Sequence, residues 1–107
     1  EEASDILDSL ANLKKEIRLK FKRLTEQELL VFSTIYQLEE QGPTNYKSIS
    51  TKLNLTESSI RDYVGKLIKK NIPLNKIKLN NKNIQISISE NLKKIASLQT
   101  ILHLRDL

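Results

Sequence analysis

A chain of 107 residues with 38% apolar side chains can bury the core of one small domain but not two. It has no cysteine, which excludes a disulfide framework, a thiolate metal site and a thiol nucleophile, and no apolar run approaches the roughly 20 residues of a membrane helix, so a cytoplasmic protein is expected. The net charge of +5 is clustered: residues 14–23 carry +5 and residues 47–82 carry +7, against −4 in each of residues 1–13 and 24–46. Such blocks suit a polyanionic partner, although a lysine-rich solvated surface gives the same counts.

The sequence opens on Glu1-Glu2 and holds no methionine, so it is read as a trimmed piece of something longer. Residues 1–24 predict a helix. Ile6, Leu10, Leu13, Ile17 and Leu24 recur at alternating spacings of three and four, with Lys20 in the intervening seam position. A lone helix of this length is marginal in water, and its heptad favours the same helix of a second copy over the rest of this chain. The basic block Lys14, Lys15, Arg18, Lys20, Lys22 and Arg23 scatters around the helix at steps of about 100° and reads as a solvated flank.

Thr25-Glu26-Gln27-Glu28 is a capping box that starts a second helix, with Leu29, Leu30, Phe32, Ile35, Tyr36 and Leu38 as its core face. Gly42 is placed for a left-handed C-terminal turn and Pro43 blocks continuation. Thr44 or Asn45 caps a short third helix, in which Tyr46, Ile49 and Leu53 are apolar. Asn54 sits where the exiting chain needs positive φ, and Thr56 caps a fourth helix from Glu57 to about Lys70 with Ile60, Val64, Leu67 and Ile68 inward. Asn71-Ile72-Pro73 ends it. Ile77 and Leu79 then alternate with Lys76 and Lys78, and Ile84, Ile86 and Ile88 alternate with Gln85 and Ser87, two strands around the polar turn 80–83. Ser89 caps a last helix from Glu90 to about Arg105. Its apolar residues spread over more of the wheel than one core needs, which predicts a second contact surface.

Two capped helices across a short turn, followed by a hairpin, are the signature of a helix-turn-helix with a wing. Leu24 to Ser89 resembles the winged helix-turn-helix superfamily of bacterial and archaeal transcription regulators, MarR-like members included. The run from Tyr46 to Val64, YKSISTKLNLTESSIRDYV, carries the resemblance, with Asn54 and Asn71 standing where glycine is usual. The fold implied is α+β and mostly helical: an N-terminal coiled-coil-like helix (1–24), the winged domain (25–89) and a C-terminal helix (90–107).

An α-helix fits the major groove and its N-terminal half approaches base edges. Ser59 and Arg61 are therefore the candidates for base contact, and Ser58 for a phosphate at the helix start. Lys66, Lys69 and Lys70 suit backbone phosphates, as do Lys47 on the preceding helix and Lys76, Lys78, Asn81 and Lys82 on the wing. The same residues would also serve as an ordinary solvated face. Ile6, Leu10, Leu13, Ile17, Leu98, Ile101 and Leu102 are the candidates for a homodimer contact, with a further protein partner as an additional possibility. No metal-spaced cluster or phosphate loop is present and His103 stands alone, so neither catalysis nor a cofactor is expected. The reading is a dimeric regulator of duplex DNA. The alternatives are a winged-helix interaction module inside a larger assembly and a nonspecific architectural DNA binder.

Overall fold

A computed structural model of the chain describes residues 2–107, without the side chains of Glu2 and Ile6, so the seam position expected at Ile6 lies outside the described residues. In chain order the elements are α1 (Glu2–Lys22), α2 (Glu26–Gln41), β1 (Thr44–Asn45), α3 (Tyr46–Leu53), α4 (Glu57–Lys69), β2 (Leu74–Lys78), β3 (Ile84–Ile88), α5 (Glu90–Ile95) and α6 (Leu98–Asp106). The strands form one antiparallel sheet in the order β1-β3-β2. This is a winged helix-turn-helix, mostly helical, with a long N-terminal helix and two short C-terminal ones. No helix is long and apolar enough to cross a membrane among the described residues.

The seam of α1 divides in two. Ile17 and Phe21 are buried, while Leu7, Leu10 and Leu13 are 65%, 46% and 36% exposed. The covered half packs chiefly against α6 of the same chain. Ile17, Leu98 and Ile101, expected between two copies, thus lie in this chain's own core at 7%, 9% and 0% exposure, and Leu102 packs partly against it. An intrachain helix pair removes this stripe from water without a second molecule.

α2 starts with the expected capping box: the Thr25 hydroxyl accepts from the Glu28 amide, and the Glu28 carboxylate accepts from the Thr25 amide at 2.8 Å. Its buried face is Glu28, Val31, Phe32 and Ile35, with Tyr36 beside it. Leu30, expected inward, is 46% exposed. A glutamate occupies one place in the i, i+3, i+4, i+7 row, which hides the true phase of the apolar pattern. Phe32 meets Phe21 of α1 edge to face, with centroids 4.8 Å apart. Gly42 ends α2 at φ 150° and ψ 178°, a positive φ that favours glycine but not the left-handed helical turn expected.

Asn45, rather than Thr44, caps α3, its side chain accepting from the Ser48 amide at 2.8 Å. The two residues also form the short strand β1, unforeseen in the sequence, which pairs with Ile86 and Gln85 of β3. Asn54 is left-handed at φ 56°, and Asn71 after α4 has φ 63°. Both asparagines fill the glycine role, tolerating a conformation that strains most side chains. Along α4, Ile60, Val64 and Leu67 are fully buried, and Ile68 is 37% exposed at the edge of that face.

The wing differs from its expected pattern in phase. Buried Leu74 pairs with Ile88, Lys76 with Ile86 and Lys78 with Ile84. Cross-strand partners share a face, so the lysines extend the core face past its end, and Ile77 and Leu79 stand on the other, 43% and 62% exposed. The last helix is two. Ala96 takes extended backbone, its carbonyl accepts from the Tyr36 hydroxyl at 3.1 Å, and Ser97 caps α6 by accepting from the Thr100 amide. Ser89 makes no side-chain cap bond. Two helix axes account for an apolar spread too wide for one.

Candidate nucleic-acid interface

Three elements meet around one hollow of about 130 Å³. The start of α3 supplies Asn45, Tyr46 and Lys47, the first turns of α4 supply Glu57 and Arg61, and the wing supplies Lys82, Asn83 and Ile84. The helix-turn-helix sets this meeting. Left-handed Asn54 turns the chain sharply, and the Thr56 cap, accepting from the Ser59 amide at 3.0 Å, starts α4 at once. At the wing tip, the Asn80 side chain accepts from the Lys82 and Asn83 amides at 2.9 Å each, which fixes the turn that carries Lys82.

The expected DNA-facing residues divide into groups. Lys47, Arg61 and Lys82 are exposed and share the hollow. Ser58, Lys66 and Lys69 are exposed along α4, and Lys76, Lys78 and Asn81 are exposed on the wing, outside the hollow. Ser59 is half-buried, and its oxygen accepts from the Thr56 hydroxyl at 2.9 Å, so it belongs to the helix cap as much as to the surface. Two cations rest on aromatic rings: the Arg61 guanidinium lies 5.1 Å from the Tyr46 centroid and the Lys66 ammonium 5.5 Å from the Tyr63 centroid. Tyr46 is buried, and the sequence offered no sign that it supports Arg61.

Lys70 leaves the expected set. Its ammonium lies 2.6 Å from Glu28 Oε1 and donates to the Arg23 carbonyl at 3.1 Å, tying the end of α4 to the α1–α2 connection. Burial works to raise the Glu28 pKa. The hydrogen bonds from Lys70 and from the amide and hydroxyl of Thr25 outweigh it, helped by the Lys70 charge, and hold the carboxyl below its ordinary value. From the other side, Arg105 of α6 donates through Nε to the Phe21 carbonyl at 3.0 Å and through Nη2 to the Leu24 carbonyl at 3.4 Å. Glu39, near the end of α2, accepts from the Ile88 amide at 2.9 Å and pairs with Lys93 at 2.8 Å. Among the described residues no group of acidic, histidine or cysteine side chains could hold a metal ion.

Neither a protein-family model nor a curated protein matches the sequence. Solved structures do. The S. aureus MepR–DNA complex matches with a TM-score of 0.61 at 12% identity, over 99% of this chain and 84% of that one. RV1404 from Mycobacterium tuberculosis matches with a TM-score of 0.59 at 16% identity, over 98% of this chain and 68% of that one. YusO from Bacillus subtilis matches with a TM-score of 0.58 at 19% identity, over 97% of this chain and 75% of that one. At these identities the likeness is one of fold, and it takes in the terminal helices as well as the winged domain.

Proposed function

We propose that the chain is a cytoplasmic, non-catalytic DNA-binding transcription regulator of the MarR-like kind, reading duplex DNA with α4 and gripping the flanking backbone with the wing. One observation carries this reading: Lys47, Arg61 and Lys82, from three separate elements, converge on one hollow. The three cations outnumber the one acid of the hollow, Glu57, and positive charge gathered across a concavity attracts a polyanion far more than the same charges spread apart. MepR, which shares the fold, is seen bound to DNA, and this supports the partner chosen. The assembly proposed is a homodimer through the open half of the α1 seam, where Leu7, Leu10 and Leu13 remain exposed. A twofold pair would set two α4 helices about one turn of DNA apart.

Duplex binding across a salt series tests the reading. If Z phosphates are neutralised, log affinity falls against log salt with a slope of about −0.9Z. A folded sample that binds no duplex at low salt overturns it and favours the protein-interaction module. Equal affinity for unrelated sequences favours the architectural binder. Light scattering tests the assembly, with dimer mass expected for the chain and monomer mass for Leu10→Asp.

A further inference from the structure

Arg61 is the arginine of α4, the helix proposed above to read DNA, and its exposed side chain rests on a ring. Its guanidinium lies 5.1 Å from the Tyr46 ring centroid, inside the roughly 6 Å over which a ring face attracts a cation. The ring is a firm support, because Tyr46 is buried in the core cluster as the first residue of α3. Glu57 lies four residues before Arg61 and lines the same hollow, yet the two form no ion pair, and among the described residues Arg61 pairs with no acid. The choice of ring over carboxylate matters chemically. A carboxylate would occupy the guanidinium N–H groups, whereas a ring contacts its face and leaves the donating edge open.

An arginine on an exposed helix samples many rotamers, and losing them on binding opposes recognition. One already resting on a ring has given up much of that freedom before DNA arrives. We propose that Tyr46 is a positioning residue that holds Arg61 ready to grip a guanine edge, and so sets the preference for guanine without touching DNA itself. This rests on the reading role given to α4 above. Lys66 on Tyr63 repeats the device farther along the helix, but an ammonium meeting a phosphate acts as a point charge and gains less from orientation.

The test uses the whole chain and a duplex selected from a random-sequence pool, together with versions in which each guanine is replaced in turn. The unmodified chain is expected to lose about tenfold in affinity at one G·C pair, and Arg61→Ala to lose that preference. Tyr46→Leu is expected to reduce the preference by roughly two- to fivefold, the range of an exposed cation–π contact, with a smaller loss on an unrelated duplex. Tyr46→Phe keeps the ring and is expected to keep the preference, and adding Tyr46→Leu to Arg61→Ala is expected to change nothing further at that pair. Each preference is a ratio within one sample, so partial unfolding of a variant cancels. Equal weakening on all duplexes, or a phenylalanine as damaging as leucine, overturns the positioning role and leaves α4 as reader. If no G·C pair responds to Arg61→Ala, the reading role falls, and the proposal with it. Should Tyr46→Leu not fold, the unmodified chain still decides: ring-current upfield shifts of the Arg61 Cδ protons are expected by NMR, and their absence overturns the proposal.

Discussion

Lys69 and Lys70 are neighbours at the end of one helix and carry the same charge, yet they belong to opposite regions of the molecule. Lys69 stands exposed on the outer face of α4. Lys70 turns back to a carboxylate that is 2% exposed and to the Arg23 carbonyl, at the junction of α1, α2 and α4. On the outer face, positive charge is left uncompensated and projects a field that a polyanion can feel. In the junction, charge is complemented within the chain and contributes nothing outside it. A count of lysines treats the two alike, so burial and not composition decides which cations are available to a partner.

Lys70→Met breaks this contrast most severely. Removing one partner of a fully buried ion pair costs about 3–5 kcal/mol, and the partial exposure of Lys70 brings the expected loss to about 2–3 kcal/mol, or roughly 10 °C in melting temperature. The salt slope of DNA binding should stay unchanged, and Glu28→Gln in the same chain should recover part of the stability. Acid reaches the same pair without mutation. The folded pKa of Glu28 lies below its unfolded value, so its contribution is complete above the ordinary glutamate value of about 4.3 and is lost as pH falls through the folded one. Melting temperature against pH should therefore show a stability gap between the unmodified chain and Glu28→Gln that narrows below about pH 4.

Arg105→Gln removes the donors to the Phe21 and Leu24 carbonyls and is expected to cost about 1–2 kcal/mol by thermal melting. Lys69→Ala sharpens the contrast from the other side. Its stability should stay within about 0.5 kcal/mol of the unmodified chain, while the magnitude of the salt slope for every duplex falls by about 1.

Local chemistry was legible in the sequence. The Thr25–Glu28 capping box, the positive φ at Asn54 and Asn71, the Thr56 cap and the wing hairpin all depend on residues within a few positions of one another, and all are present. What escaped depends on distant partners. The Glu28 carboxylate pairs with Lys70, 42 positions away, so a core place held by a glutamate looked like a gap in the apolar row. The phase of β2 is fixed by Leu74, which follows Pro73 and reads as part of the turn until Ile88 is known to lie opposite it. The break at Ala96 is stabilised by Tyr36, 60 positions earlier, and nothing nearby marks it as strongly as a glycine or proline would. At the candidate interface, the exposed cations other than Lys70 were legible, but the ring beneath Arg61 was not.

The end of α1 and the α1–α2 connection lend the Phe21, Arg23 and Leu24 carbonyls to Arg105 of α6 and to Lys70 at the end of α4. Under native-state hydrogen exchange, the second half of α1, the end of α4 and α6 should consequently open as one cooperative unit, with similar opening free energies and a shared response to denaturant. In the monomeric Leu10→Asp variant, amides in the first half of α1 lack that clasp and should exchange by fraying. The boundary between fast and slow amides should fall near Ile17, inside a single unbroken helix.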